Sequence, residues 1–266
     1  MEKTAMRVGE KWLPYRQAEH SFSVHSIFNR VINLSTGQGL LSVTADGIGG
    51  SSAFMTVSGN FADYGAAAGR HCVVREGQMF FANCTINFKN SAVWSGPIKK
   101  EYRYKTIKKD NVAAFKAVLD RKAAPQSAWR CIHGDTESRF GVIRRLRENP
   151  SLAGNLIGLG QGLTPAGDDM LTGFLAMVNH NSENRSFVRR LHREVSALLG
   201  KTVDLSAQLL SNALDCDYHE YVQNCVRDIC EGEKEEVYIS AASLLGIGAT
   251  SGSDIACGMY FGMSDL

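Results

Sequence analysis

Residues 158–173 read Gly158-Leu-Gly-Gln-Gly-Leu-Thr-Pro-Ala-Gly-Asp-Asp-Met-Leu-Thr-Gly173, and Phe174, Leu175, Met177 and Val178 follow. Three glycines at alternate positions, 158, 160 and 162, make a poor helix, because glycine costs roughly 1 kcal/mol per helical position. They permit positive φ and close backbone approach. Thr164 then offers a capping hydroxyl, and Pro165 suits the first helical position, where its missing N–H is not needed. Met170, Leu171, Phe174, Leu175, Met177 and Val178 continue as an apolar helix that must be buried. A glycine loop therefore leads into the N-terminus of a core helix, where free amides and the positive end of the helix dipole favour an anion or a carbonyl oxygen. The stretch itself contains no Gly-Lys-Ser/Thr, so it is not a nucleotide phosphate loop, and its spacing and context are not those of a dinucleotide fingerprint.

Asp168 and Asp169 complicate a purely anionic ligand. Adjacent helical residues point about 100° apart, so one acid can face the site while the other faces a neighbour. The facing one would orient an amide donor, act as a general base or hold a metal ion; acids in a first helical turn also simply favour the dipole.

The same design recurs near the C-terminus. Gly246-Ile-Gly248-Ala-Thr250-Ser251-Gly252-Ser253-Asp254 precedes an apolar run containing Ile255, Met259 and Phe261. Ser251 and Asp254 also have capping-box spacing. Two such loop-to-helix starts point to one pocket lined by both. A weaker third element is Thr202 and Ser206, a helix start that caps itself or faces the same pocket. No nucleophilic triad emerges: the seven histidines are scattered and Gly-x-Ser-x-Gly is absent.

Outward from these stretches the chain has two grammars. Val24–Phe28, Val31–Leu34, Leu40–Thr44, Ala53–Val57, Cys72–Val74, Met79–Phe81 and Cys84–Phe88 are short β-type runs separated by turn signals such as Asp46-Gly47 and Glu76-Gly77. They predict an antiparallel β sandwich or small barrel. From Asp110, read as an N-cap, the period becomes helical. Phe140, Ile143 and Leu146 keep that period, and the segments around 187–199, 203–214, 218–230 and 237–245 are amphipathic. The expectation is an α+β fold, with a β-rich domain over 1–109 and a helical domain over 110–266 carrying both glycine loops.

Composition narrows the classes. The 44% hydrophobic content marks a globular chain, and 29 basic against 27 acidic residues gives no global pull toward nucleic acid or membrane. The basic strip Lys99–Lys109, with two tyrosines, reads as a solvated strand and linker rather than a nucleic-acid surface. No apolar run approaches a membrane span and no signal-peptide core opens the sequence, so a cytoplasmic protein is expected. Seven cysteines without a Cys-x-x-Cys pair disfavour disulfides and structural zinc; Cys225 and Cys230 read as small core residues.

The residues of the two glycine stretches resemble a bacterial family that includes AllH, a subunit of the oxamate carbamoyltransferase of anaerobic allantoin breakdown. The family motif, Gly-x-Gly-x-Gly-Leu-Thr-Pro-Ser/Ala-x-Asp-Asp-x-Leu-x-Gly, falls on Gly158, Gly160, Gly162, Leu163, Thr164, Pro165, Ala166, Asp168, Asp169, Leu171 and Gly173. Its Thr-Ser-Gly-x-Asp signature falls on Thr250, Ser251, Gly252 and Asp254, and Thr202 with Ser206 matches a further segment. Ala249 departs from the pattern, since relatives can carry histidine before Thr-Ser-Gly.

The resemblance implies interconversion of oxalurate plus phosphate with oxamate plus carbamoyl phosphate, by a chain working with other subunits of a hetero-oligomeric enzyme. It implies Thr164, Asp168 and Asp169 as catalytic candidates. Gly160, Gly162, Gly167, Ser206, Thr250, Ser251, Gly252 and Asp254 become candidate substrate-binding residues. Negative charge develops on the carbamoyl oxygen in such a transfer, and preorganised N–H and hydroxyl donors would meet it. Lys201 and the Lys99–Lys109 strip are the candidate cations for a phosphate. Two other readings stand beside this one. The chain is then a non-catalytic structural, regulatory or small-ligand-binding subunit, or a Mg²⁺-dependent hydrolase using Asp168, Asp169 and Asp254.

Overall fold

Each β-branched run of the first ninety residues becomes a strand. The computed structural model describes residues 1–17, 19–135, 137–183 and 185–263. It divides the chain into a first unit, Met1–Gly96, and a second, Pro97–Leu266. The strands of the first unit are β1 (Glu2–Val8), β2 (His20–Ile27), β3 (Val31–Ser35), β4 (Leu40–Ala45), β5 (Phe54–Val57), β6 (His71–Arg75), β7 (Gln78–Phe80), β8 (Thr85–Asn87) and β9 (Ala92–Val93). They hydrogen-bond in the order β5-β4-β3-β2-β6-β7-β8-β1, and β1 pairs again with β5, so eight strands close into a barrel. Closure leaves these eight strands without a free edge. β9 continues the β8 side of β1, matching Arg7 with Ala92 and Val8 with Val93.

The expected α+β architecture is present, with a barrel as its β half. Most junctions are antiparallel, but β4–β5 and β1–β8 run parallel. Strand alternation reports which face a residue occupies and carries no direction, so these junctions were not readable in advance. β1 lacks the strand pattern that marks the others. Its buried residues are Ala5 and Val8, and a register shift between Ala5 and Arg7 breaks the two-residue period. The unit's core is filled with side chains, among them Trp12, Phe22, Ile32, Leu34 and Met55, and the Trp12 indole donates to the Ala53 carbonyl at 2.9 Å.

The second unit contains α1 (Lys109–Lys122), α2 (Ala128–Gly134), α3 (Ala166–His180), α4 (Arg185–Leu198), α5 (Asp204–Leu214), α6 (Glu220–Glu231), α7 (Lys234–Leu245) and α8 (Ser251–Met263). No helix among the described residues is long and apolar enough to cross a membrane. α1 starts one residue before Asp110, with Lys108 at its N-cap, and Asp110 pairs instead with Lys234 at 3.0 Å. The Phe140-Ile143-Leu146 spacing belongs to a 3-10 turn, Arg139–Arg145, ending on buried Leu146; residues three apart align on a 3-10 helix as well. The basic strip lies along the helical unit. Lys100 pairs with Asp215 and Lys108 with Glu233, while the Tyr104 hydroxyl donates to the Met177 carbonyl at 2.8 Å. Tyr104 is thus held in the core and cannot stack on a base.

α3 is buried along most of its length and packs on α8, which is buried from Gly252 to Met259. The two helices touch backbone to backbone. A Cβ on Gly173 would lie 1.9 Å from the Ile255 carbonyl oxygen, and one on Gly258 would lie 1.8 Å from that of Met170. These two glycines of the glycine-rich stretches therefore serve helix contact rather than ligand approach. The stretches are not uniformly ligand loops.

Candidate functional site

The loop ahead of α3 is built on glycines in the left-handed region, with φ of +73° at Gly158, +127° at Gly160 and +91° at Gly162. At Gly160 the requirement is doubled, since a Cβ there would lie 2.7 Å from the Ala166 nitrogen. Pro165 occupies the N-cap, one position before the helix, and supplies no side-chain cap.

Asp168, one of the two acids read as catalytic, is 1% exposed and uses both oxygens internally. The Gly158 amide donates to Oδ1 at 2.8 Å and the Thr202 hydroxyl to Oδ2 at 2.5 Å. It ties the glycine loop and the segment before α5 to the first turn of α3. Gly167 donates its amide to the Leu159 carbonyl at 2.8 Å, and a Cβ there would sit 2.1 Å from the Leu156 carbonyl oxygen. Among the described residues, the amides of Gly160, Gln161, Gly162 and Leu163 have no hydrogen-bond acceptor. They are the loop's available donors.

Thr164 does not cap α3. Its hydroxyl lies 2.8 Å from that of Ser251, the first residue of α8, and so joins stretches 87 residues apart in sequence. Both hydroxyls lie close enough to Asp169 to favour its charged form. Asp169 is 3% exposed, and its Oδ2 has no partner among the described residues. Burial pushes its pKa well above the usual carboxylate range. The Ser251 and Thr164 hydroxyls oppose that shift, and the nearby Asp254 and Asp168 charges add to it. Asp169 is therefore the acid of the pair suited to carrying a proton, while Asp168 holds the loop.

The rest of the α8 start faces inward. Asp254 is fully buried and its Oδ1 accepts the Ala128 amide at 2.6 Å, while Ser253 Oγ accepts the Ala124 amide at 2.9 Å, so together they pin the connection between α1 and α2. Burial lifts the Asp254 pKa to about 6. The Gly252 amide donates to the Ile247 carbonyl at 3.0 Å, and its missing Cβ makes room for the Leu244 carbonyl. Thr250 is half-buried, and its carbonyl accepts the Asp254 amide at 2.9 Å. Ser206, in the first turn of α5, is buried, and its hydroxyl has no partner among the described residues. Thr164, Ser251 and Asp169 thus form one cluster, with Asp168 and Thr202 bracing it.

The magnesium reading does not fit. Among the described residues no group of three His, Cys, Asp or Glu is placed to hold a metal ion. Both Asp168 oxygens are already taken by an amide and a hydroxyl.

Two clefts flank the loop. One, of about 570 Å³, is lined by Asn155, Gly158, Leu159, Gly160 and Arg139 among others. The other, of about 590 Å³, has Leu159, Gly160, Gln161 and Phe140, together with Asp135, Glu137 and again Arg139. Lys201 lines neither of these two clefts; its carbonyl packs against Gly158. Arg139 had no local signal in the sequence, standing among Arg144, Arg145 and Arg147.

A closed barrel precedes a helical unit in which free amides, the Thr164 and Ser251 hydroxyls and the Asp169 carboxyl gather at two helix starts, and the protein is of the α+β class. The family model of the oxamate carbamoyltransferase subunit AllH matches residues 156–263, from just before Gly158 to the end of α8. The resemblance carried by the two glycine stretches is thereby shown over this helical region. No curated protein and no solved structure gives a significant match.

Proposed function

We propose that this chain is a subunit of a carbamoyltransferase acting on oxalurate and phosphate to give oxamate and carbamoyl phosphate. In this reading the glycine loop, Thr164, Ser251 and Asp169 handle the carbamoyl group. A phosphate oxygen attacks the carbamoyl carbon, the C–N bond to the oxamate nitrogen breaks, and that nitrogen takes up a proton. Amides of the Gly160–Gly162 turn offer donors to the carbamoyl oxygen as charge develops on it. Asp169, whose pKa burial raises, is the group to deliver a proton to the leaving nitrogen and to recover it in reverse.

The observation that carries this reading is the 2.8 Å bond between Thr164 and Ser251. It unites the two stretches that match the family over a carboxyl group with one unused oxygen. The test is turnover by the enzyme assembled with its other subunits, comparing wild type with Thr164→Val and Asp169→Asn. Loss of a general acid should lower kcat roughly 100-fold or more. Unchanged turnover in both variants sinks the proposal. The word "subunit" in the matched family's description supports a second reading, in which another chain supplies the chemistry and this one binds ligand. Turnover by the purified chain alone would decide against it.

A further inference from the structure

We infer that Arg139 is the counter-charge for the ligand, and that it seats a small oxyanion in the cleft it forms with the Gly158–Gly160 turn. This rests on the site proposed above and adds the cation that the site otherwise lacks.

Arg139 is exposed at the start of its 3-10 turn and lines the clefts on both sides of Leu159–Gly160. Among the described residues it forms no hydrogen bond or ion pair, whereas its neighbours Arg144 and Arg147 donate to the carbonyls of Ile132 and Gly262. A guanidinium is always charged and presents parallel N–H donors that match a carboxylate or phosphate edge.

The two clefts differ in charge, and this decides where the anion goes. The first has no acidic side chain in its lining, and Asn155 adds a neutral polar group. The second carries Asp135 and Glu137, which repel an anion. The unengaged Gly160 amide lies at the boundary of the two. An oxyanion held by Arg139 in the first cleft is thus placed beside the loop's available donors, with the rest of the ligand free to run along Gly160–Gln161.

The experiment is calorimetric titration of the full chain with oxamate, with inorganic phosphate and with neutral oxamide, using wild type, Arg139→Gln, Arg139→Lys and Arg145→Gln. Arg139→Gln should weaken oxyanion binding roughly 10- to 100-fold, the loss expected for a charge-assisted hydrogen-bonded contact. Arg139→Lys should restore part of it. Arg145→Gln and oxamide binding should be unaffected, and the melting temperature should not move, since Arg139 is exposed.

Dependence on Arg139 with oxamate marks a carboxylate as the seated group; dependence with phosphate marks a phosphoryl group. Arg139-dependent phosphate binding without any oxamate binding keeps this inference and overturns the proposed substrate. Wild-type binding that Arg139→Gln leaves unchanged, or that Arg145→Gln weakens equally, overturns the role of Arg139 while the proposed function stands. Wild type that binds neither anion overturns both.

Discussion

Asp254 makes the stability of the helical unit depend on pH in a direction opposite to that of a salt-bridged acid. It is fully buried, and burial lifts its pKa from the ordinary 3.8 to about 6, against the Ala128 amide that favours the charged form. The folded state therefore holds the proton more tightly than the unfolded chain. The associated stability is fully present below the unfolded value and is lost as pH rises through about 6. A shift of roughly two units corresponds to about 3 kcal/mol.

Asp254→Asn keeps an oxygen for the Ala128 amide and removes the ionisation. Whatever hydrogen bonding the new amide group gains or loses is constant with pH. Urea unfolding followed by helical circular dichroism, from about pH 4 to about pH 7, separates the two effects. The wild type should lose roughly 2.5 kcal/mol more than the variant over that range. In thermal unfolding this is a relative change of about 5–10 °C for a unit of this size. Curves that remain parallel across the range refute the assignment of a buried, proton-holding Asp254.

Gly173→Ala and Gly258→Ala each drive a methyl group into a backbone carbonyl at under 2 Å. Each should destabilise by about 3 kcal/mol or more in urea unfolding, and native-like stability in either would contradict the backbone contact. Thr164→Val and Ser251→Ala should be non-additive in a double-mutant cycle, with a coupling of about 0.5–3 kcal/mol; simple additivity means the two hydroxyls do not interact. Asp168→Ala should raise hydrogen exchange at the Gly158 amide, its donor, far more than at amides of the barrel. Gly160→Ala should weaken ligand binding, since φ of +127° suits only glycine; unchanged affinity would detach the loop from the site.

Much of this was written locally in the sequence. The switch from β-type runs to helical period marks the two kinds of architecture. Three alternating glycines ahead of an apolar run mark a loop at a buried helix start, because glycine and threonine act on their own neighbourhood. The convergence of that loop on Ser251 was expected from the repeated design and is now specified by one hydrogen bond. What escaped depends on distant parts of the chain. Adjacent Asp168 and Asp169 look alike in sequence; Thr202, brought from afar, gives one a bracing role, while burial and the charge of distant Asp254 raise the pKa of the other. Gly173 and Gly258 carry no local sign of the helix that each one meets. Arg139 stands apart from the arginines around it by lining both clefts, which nothing in its local sequence signals.

The barrel closes through its first strand, and this orders events during folding. β1 must find β5 on one side and β8 on the other. The Met1 amino group meets the Asn83 carbonyl across 82 residues of chain, and Ser91 reaches the Ala5 carbonyl across 86. Contacts so far apart in sequence require large loops to close before they stabilise anything, which slows folding. On a ribosome the opening strand would wait, unpaired on its β8 side, until nearly the whole first unit had emerged. The strand that emerges first is thus the one that later joins both ends of the sheet.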